Sequence, residues 1–467
     1  MSKVTEEREG TPWFARRRVS ARNWLRIGLG IDTAIGFTVL ARGWSSVAGV
    51  LTVTLIARFL TRAEQGYYYT FGSLIALQIV FELGFSFVIL QMASHERAHI
   101  TICADGAIEG DEVAHARLAS VLQKTVRWYT AAAMLLAISL LVAGSYFFSK
   151  YQNPDQGVSW RIPWYAAALA ATLTFQLDPI LSFMEGCGYV ANVARLRFVQ
   201  AATGSGLAWL ALATRHGLFA PAMMIAGTAG VGAIWLFKRR GLLLPLLRYN
   251  PGEYKVRWAK EVWPFQWRIA ISWLCGYFIY QLFTPVLFAY RGAVEAGQMG
   301  MSLSLANALQ SVAISWINTK AAPFGALVAR KDYTNLDLLF GRAVRQSAAV
   351  FASGSVVAWL AVAFLNWEHA RFAQRLLGPV ALALLLCSTL LNVVVFAQAV
   401  YLRAHKQEKL LIPSVVTAVL VACSTYALGR YFGALGMVSG NLLIGLLVGL
   451  PSATFIFVRY RRLWHEC

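Results

Sequence analysis

About twelve stretches of roughly 20 consecutive apolar residues follow one another along the chain, and no other feature restricts its folding so tightly. They lie near 31–57, 66–91, 123–148, 162–184, 193–214, 218–237, 264–289, 297–322, 343–366, 376–401, 410–429 and 434–458. A stretch of this length, nearly free of charge, crosses the hydrocarbon of a bilayer as a helix that satisfies its own backbone hydrogen bonds. The composition excludes a soluble alternative. The chain is 58% hydrophobic and 14% charged, with a mean hydropathy of +0.55. Soluble domains carry about 25% charged residues, and a soluble chain of 467 residues could not bury so much apolar surface. The predicted fold class is therefore all-α and polytopic, with about 12 transmembrane helices.

A net charge of +20 points toward an anionic partner, but its distribution excludes nucleic acid. The basic residues cluster between apolar runs, as in ARRRVSARNWLR (15–26), FKRRG (237–241) and VRYRRLW (458–464). No compact basic domain exists to hold a duplex or a strand. With both termini cytoplasmic, the inner segments hold roughly 29 of the 42 Lys and Arg residues and the outer loops about nine, as the positive-inside rule requires. Arg58 and Arg62 then mark the outer interface. The first apolar run is long enough to span, so the N-terminus reads as a retained anchor rather than a cleaved signal. The segment RRRVSARNWLRIG (16–28) and the connection 238–263 each mix leucines or aromatics with basic residues; each reads equally as a surface-lying helix or a solvated basic loop. Six cysteines follow no metal or disulfide spacing and read as small core hydrophobes.

The chain repeats itself. ARFLTRAEQGYYYTFGSL (57–74) closes the first span and opens the second; FAYRGAVEAGQMGMSLSL (288–305) does the same for the seventh and eighth. Glu64, Gly66, Ser73 and Leu74 match Glu295, Gly297, Ser304 and Leu305 at one offset, 295 − 64 = 231. Six spans return the chain to the side it started from, so the halves are parallel repeats enclosing a central cleft. The expected division is a basic cytoplasmic segment 1–30, an N-lobe 31–237, a basic cytoplasmic linker 238–263, a C-lobe 264–458 and a basic cytoplasmic tail 459–467.

ARFLTRAEQGYYYTF (57–71) resembles the first connection of polysaccharide and O-antigen flippases, within the multidrug/oligosaccharidyl-lipid/polysaccharide flippase superfamily. FELGFSFVILQMASHE (81–96), SFMEGCGYVANVARLRFVQA (182–201) and WPFQWRIAISWLCGYFIYQLFTP (263–285) extend the resemblance over most of the chain. The resemblance implies twelve or more helices in two lobes. It implies export of an oligosaccharide linked to an isoprenoid diphosphate, from the inner to the outer leaflet of a bacterial plasma membrane. Lipid-linked oligosaccharide, membrane lipids and other polysaccharide-assembly proteins are the implied partners; no cofactor is implied, and the sugar is left open.

Ionisable residues at membrane depth cost about 2.5–3.5 kcal/mol to insert and are functional candidates for that reason. Arg42 lies near the middle of the first span, about 15 Å from either end. A guanidinium facing a wet cleft clamps a diphosphate through paired hydrogen bonds; the competing reading is a structural pair with Glu82. Arg268 sits a few residues inside the seventh span, where snorkelling is easy, and Lys320 precedes Ala-Ala-Pro323 late in the eighth. These three are the candidate diphosphate or sugar contacts. Glu82 in the second span and Asp178, next to Pro179 in the fourth, are candidates for ion coupling or for charge balance. Trp44, Trp273 and Tyr277 fall inside spans, where helix packing competes with stacking on sugar rings. Gln281, Asn307, Asn318 and Asn392 suit either sugar hydroxyls or helix–helix bonds.

His95-Glu96-Arg97-Ala98-His99 fits HExxH, which on a helix offers two zinc ligands and a general base. No spacing supplies a third ligand, so His95 and His99 are set aside as metal ligands. No Walker A or GxSxG motif occurs. The expected function is non-enzymatic transport. The alternatives are a multidrug exporter of the same superfamily, which calls for an acidic cavity; a membrane enzyme, either a zinc protease or a glycosyltransferase; and a non-transporting assembly scaffold.

Overall fold

The computed structural model describes residues 33–103, 106–261, 263–405, 407 and 409–465. The expected N-terminal segment 1–30 lies outside them. The chain is all-α, as the apolar windows require, apart from one hairpin of two short strands. Helix α1 (Thr33–Phe59) is the first span. The second is broken: α2 (Arg62–Ile75), a single 3-10 turn and α3 (Ile79–Glu82) run to a bend of 45°, and α4 (Phe85–Arg97) continues. Strands β1 (Ile100–Ile102) and β2 (Ile108–Gly110) pair antiparallel in the following connection. The third span is α5 (Glu112–Ser139) and α6 (Ser145–Tyr151), joined through a π turn at 140–144. Helices α7 (Arg161–Gly186), α8 (Val190–Ala213) and α9 (Ala220–Lys238) complete the first six.

The linker holds α10 (Arg240–Arg248), with Leu242, Leu243 and Leu246 buried on one side, and the turn α11 (Trp258–Glu261). An amphipathic helix rather than a solvated loop thus occupies its first half. Helices α12 (Trp263–Tyr280) and α13 (Phe283–Arg291) make the seventh span, and α14 (Ala293–Asn318) the eighth, extended by α15 (Ala321–Ala329). Then come α16 (Tyr333–Trp367) and α17 (Pro379–Ala404). The last stretch, α18 (Leu411–Ile444), is helical throughout except at Gly433, whose φ of 64° breaks it. Beyond that break the chain folds back on itself: a Cβ at Gly436 would meet the Leu428 carbonyl and one at Gly440 the Ser424 hydroxyl. The returning half and α19 (Leu450–His465) form the twelfth crossing, and α19 takes in most of the expected tail.

Among the described residues, seven helices are long and apolar enough to cross a membrane on length and composition alone, or eight with the bent pair. The stretch Leu411–His465 enters that number once yet makes two passes. The fifth, seventh and eighth spans fall short because α8 is basic at its start, α12 and α13 are interrupted, and α14 is polar in its first half. The architecture is two lobes of six helices, matching the windows read from the sequence.

Local chemistry explains the irregular points. The π turn interrupts regular helix pairing around Leu140, and Trp164 Nε1 donates to the Leu140 carbonyl at 3.2 Å. Gly144 leaves room for that indole, which a Cβ would approach within 2.2 Å. Thr61 and Glu64 form a reciprocal capping box at the start of α2. At the basic end of the N-lobe, Glu96 is 5% exposed and pairs with Arg117 at 2.8 Å, while Arg117 also reaches Glu261 at 2.7 Å. Burial pushes the Glu261 carboxyl up, but the Arg257 backbone N–H and the Arg117 guanidinium outweigh it and hold it below the usual glutamate range.

A depressed folded pKa contributes stability at neutral pH, above the unfolded value near 4.3, that disappears as pH falls through the folded value. Arg117→Leu strands the buried Glu96 carboxylate and should cost about 2 kcal/mol. Melting of the detergent-solubilised protein checks both points. The variant should melt lower at pH 7, and the difference should shrink below pH 4; a constant difference would remove the ion pair from the account.

Candidate functional site

The two lobes meet along a seam between α2 and α14, the second helix of each half. Gly66 and Gly297 make the contact, each leaving no room for a side chain: a Cβ on Gly66 would lie 1.9 Å from the Ala293 carbonyl oxygen, and one on Gly297 2.9 Å from the Gly66 nitrogen. Small residues at such a crossing let backbones touch. Gln65, buried beside Gly66, donates from Nε2 to the carbonyls of Gly297 and Arg375, both at 2.9 Å. Below it Tyr67, Phe147 and Phe148 of the N-lobe close around Phe288 of the C-lobe, with Tyr67 edge-on to Phe288 at 4.8 Å and Phe71 and Trp164 packed behind Phe148. Further along, Tyr277 Oη donates to the Ser73 carbonyl at 3.2 Å, and Gln266 Nε2 donates to the Leu83 carbonyl. Tyr277 therefore joins lobes rather than presenting its hydroxyl freely.

Arg42 stands apart from this seam. Helix α1 packs on α8 through Trp44, which donates to Ser205 Oγ at 3.0 Å and rests against Trp209 and Phe198. One turn pair further on, Trp209 donates to Thr52 Oγ1 at 2.9 Å. Trp44 is thus a packing residue. Arg42, two positions earlier, projects from roughly the opposite side of the helix and is exposed. Among the described residues its guanidinium makes no ion pair, so the competing pairing with Glu82 does not form. Lys320 caps the break between α14 and α15 and is half-buried, without an ion pair among the described residues. The backbone of Arg268 is helical within α12; its side chain, like that of Trp273, lies outside what the structure describes.

The acids are brought together. Glu82 and Asp178 line one cavity of about 20 Å³ inside the N-lobe, with Gln78, Ser86, Tyr129, Phe175 and Pro179. The space holds about one water. A bend and a proline shape it. Leu83 (φ 50°) and Gly84 (φ 70°) bend the second span just past Glu82, and positive φ at a leucine is a strained conformation. Pro179 removes the N–H that would bond the Phe175 carbonyl. Tyr129 is 1% exposed, and its Oη lies in this cavity beside Ser86. Carboxylates, hydroxyls and a released carbonyl make an oxygen-rich site suited to water, a proton or a hard cation.

Asn392 lines a second small cavity, of about 70 Å³, within the C-lobe, with Ser388, Ser414, Thr417 and Asn441 beside the π turn at 445–449. At HERAH, the ring centroids of His95 and His99 are 5.9 Å apart and Glu96 is engaged by Arg117. A glutamate held this way is a structural anion rather than a general base. Among the described residues no group of three His, Cys, Asp or Glu side chains is arranged to hold a metal.

No protein-family model matches the chain, and no curated protein matches its sequence. Solved structures do. The lipid II flippase MurJ, in an inward closed conformation, superposes with a TM-score of 0.55 at 12% identity, over 90% of this chain and 87% of that one. The MATE multidrug transporter DinF-BH gives 0.57 at 14% identity over 92% and 96%. The eukaryotic MATE transporter AtDTX14 gives 0.55 at 12% identity over 95% and 99%. At these identities the likeness is one of fold: two six-helix lobes, as in flippases and MATE transporters.

Proposed function

We propose that the chain is a transporter that turns a lipid-linked oligosaccharide, carried on an isoprenoid diphosphate, from the cytoplasmic to the outer leaflet by alternating access. The cell membrane is a bacterial plasma membrane and both termini are cytoplasmic, as the basic end of the bundle favours. The observation that carries the reading is Arg42: a cation near mid-span, exposed on α1 and without an ion-pair partner among the described residues. A guanidinium left to face lipid is costly, whereas one facing a wet path between lobes meets an anionic head group and clamps it. Arg268 and Lys320 join it as diphosphate or sugar contacts along the same path. The lipid tail stays in the bilayer while the head passes. Glu82 and Asp178 carry the coupling ion.

The fold is shared with multidrug transporters, and export of organic cations is the second reading. The acidic cavity favours it by sign and opposes it by size, because about 20 Å³ admits water but not a drug. The test uses the full chain in proteoliposomes, with a fluorescent isoprenoid-diphosphate oligosaccharide followed by lectin accessibility. Arg42→Ala should slow transfer by at least about tenfold at unchanged protein level, equivalent to losing one charge-assisted contact. Wild-type transfer by Arg42→Ala would sink the assigned role, and cation efflux without oligosaccharide transfer would replace the flippase reading.

A further inference from the structure

Four of the arginines that the sequence assigns to the outer side converge on one recess. Arg58 and Arg62, from the end of α1 and the start of α2, face Arg371 and Arg375, from the connection between α16 and α17. The recess encloses about 680 Å³, and Thr54, Ala57, Phe372 and Gln374 complete its lining. Two of the four guanidiniums come from each lobe, and no carboxylate is among the lining residues. The nearby acid, Glu64, is committed to the capping box, accepting from the Thr61 backbone N–H at 2.8 Å.

Two of the arginines are anchored. Arg375 donates to the Leu60 carbonyl at 2.5 Å and to Gln65 Oε1 at 3.2 Å, and Arg62 donates to Gln374 Oε1. The other two, Arg58 and Arg371, make no hydrogen bond or ion pair among the described residues; Arg58 only lies against the Phe59 ring. Burial and then the neighbouring Arg62 charge pull the Arg375 guanidinium below its ordinary pKa. Glu64 opposes that pull from outside the lining, and four like charges against one carboxylate leave the recess with a net repulsion. The repulsion acts across the seam, because the charges belong to opposite lobes.

We infer that this recess is an anion site that binds a compact polyanion of the phosphate or diphosphate class between Arg58 and Arg62 of one lobe and Arg371 and Arg375 of the other, and that the bound anion holds the seam shut. The volume accommodates a diphosphate with its hydration, and planar forks from two sides suit tetrahedral oxyanions. The site differs in place and residues from the mid-span cations, and its existence does not depend on the cargo. A soluble phosphate and a lipid-borne phosphate share the chemistry.

The test uses the full chain in nanodiscs of neutral phosphatidylcholine. Inorganic pyrophosphate forms one arm and farnesyl diphosphate the other, each titrated calorimetrically against the wild type and an Arg58→Gln/Arg371→Gln variant. Those two residues make no structural bond, so the variant should melt as the wild type does. Binding in either arm should weaken by at least about tenfold in the variant, since each lost charge-assisted contact accounts for about that much. Pyrophosphate binding identifies a soluble anion, and binding of farnesyl diphosphate alone a membrane-borne one. Pyrophosphate or farnesyl diphosphate should also slow amide exchange in residues 293–301 of the wild type. Absence of binding in both arms, or equal affinity in the variant, overturns the site; binding with unchanged exchange overturns its hold on the seam.

Discussion

A protein carrying Gly66→Ala is expected to fold and insert but to lose the closed seam. The new methyl group would lie 1.9 Å from the Ala293 carbonyl oxygen, well inside any contact distance. The obstacle is backbone, so no rotamer change relieves it. Either α2 and α14 separate or both helices shift, and overpacking of this kind costs about 1–3 kcal/mol or more. Spread over the opening equilibrium, that is about a ten- to hundredfold rise in amide exchange for residues 293–301 and 372–377. The proposed transport should fall with it, because a cycle of that kind that cannot close on one side leaks or stalls. Gly72→Ala on the same helix is the control: nothing lies within 4 Å of its Cβ, so exchange should not rise. Equal behaviour of the two variants would remove the seam from the mechanism.

The second large effect concerns the cavity of Glu82 and Asp178. The double variant Glu82→Gln/Asp178→Asn keeps the shape of both side chains and removes both charges. The proposed coupling then fails while the path for the head group remains. Gradient-driven accumulation in proteoliposomes should drop at least about a hundredfold, whereas exchange down a substrate gradient persists. Tyr129→Phe removes one hydroxyl from the same cavity and should have a smaller effect in the same direction. Full concentrative transport by the double variant would return both acids to a structural role.

The number and course of the spans were legible in the apolar windows, since lipid leaves a chain few other options. The repeat was legible as well: the offset of 231 between Gly66 and Gly297 marked the residues at which the halves touch. The interruptions were harder to read. Leu83 at φ 50° carries no sequence signal beyond the glycine after it, and the π turn at 140–144 lies in an ordinary apolar run. Pro179 beside Asp178 reads as a kink, yet the helix runs through it, and the meeting of Asp178 with Glu82 depends on how three spans pack. The arginine recess was half visible. Arg58 and Arg62 read as interface markers, but Arg371 and Arg375 join them from about 310 residues away, a separation that no local pattern bridges.

The contact between Gly66 and Gly297 has a consequence for how the two halves could diverge. The residues occupy the same place in each repeat, so each touches its own counterpart. A change there meets its image, and any enlargement in one half narrows the room available to the other. Positions far from this meeting point face no such restriction, and there the halves differ in chemistry: the offset that pairs the glycines carries Arg42 onto Trp273, 42 + 231 = 273. The matched glycines are thus tied to each other by contact, and the side chains that differ between the halves lie at a distance from them.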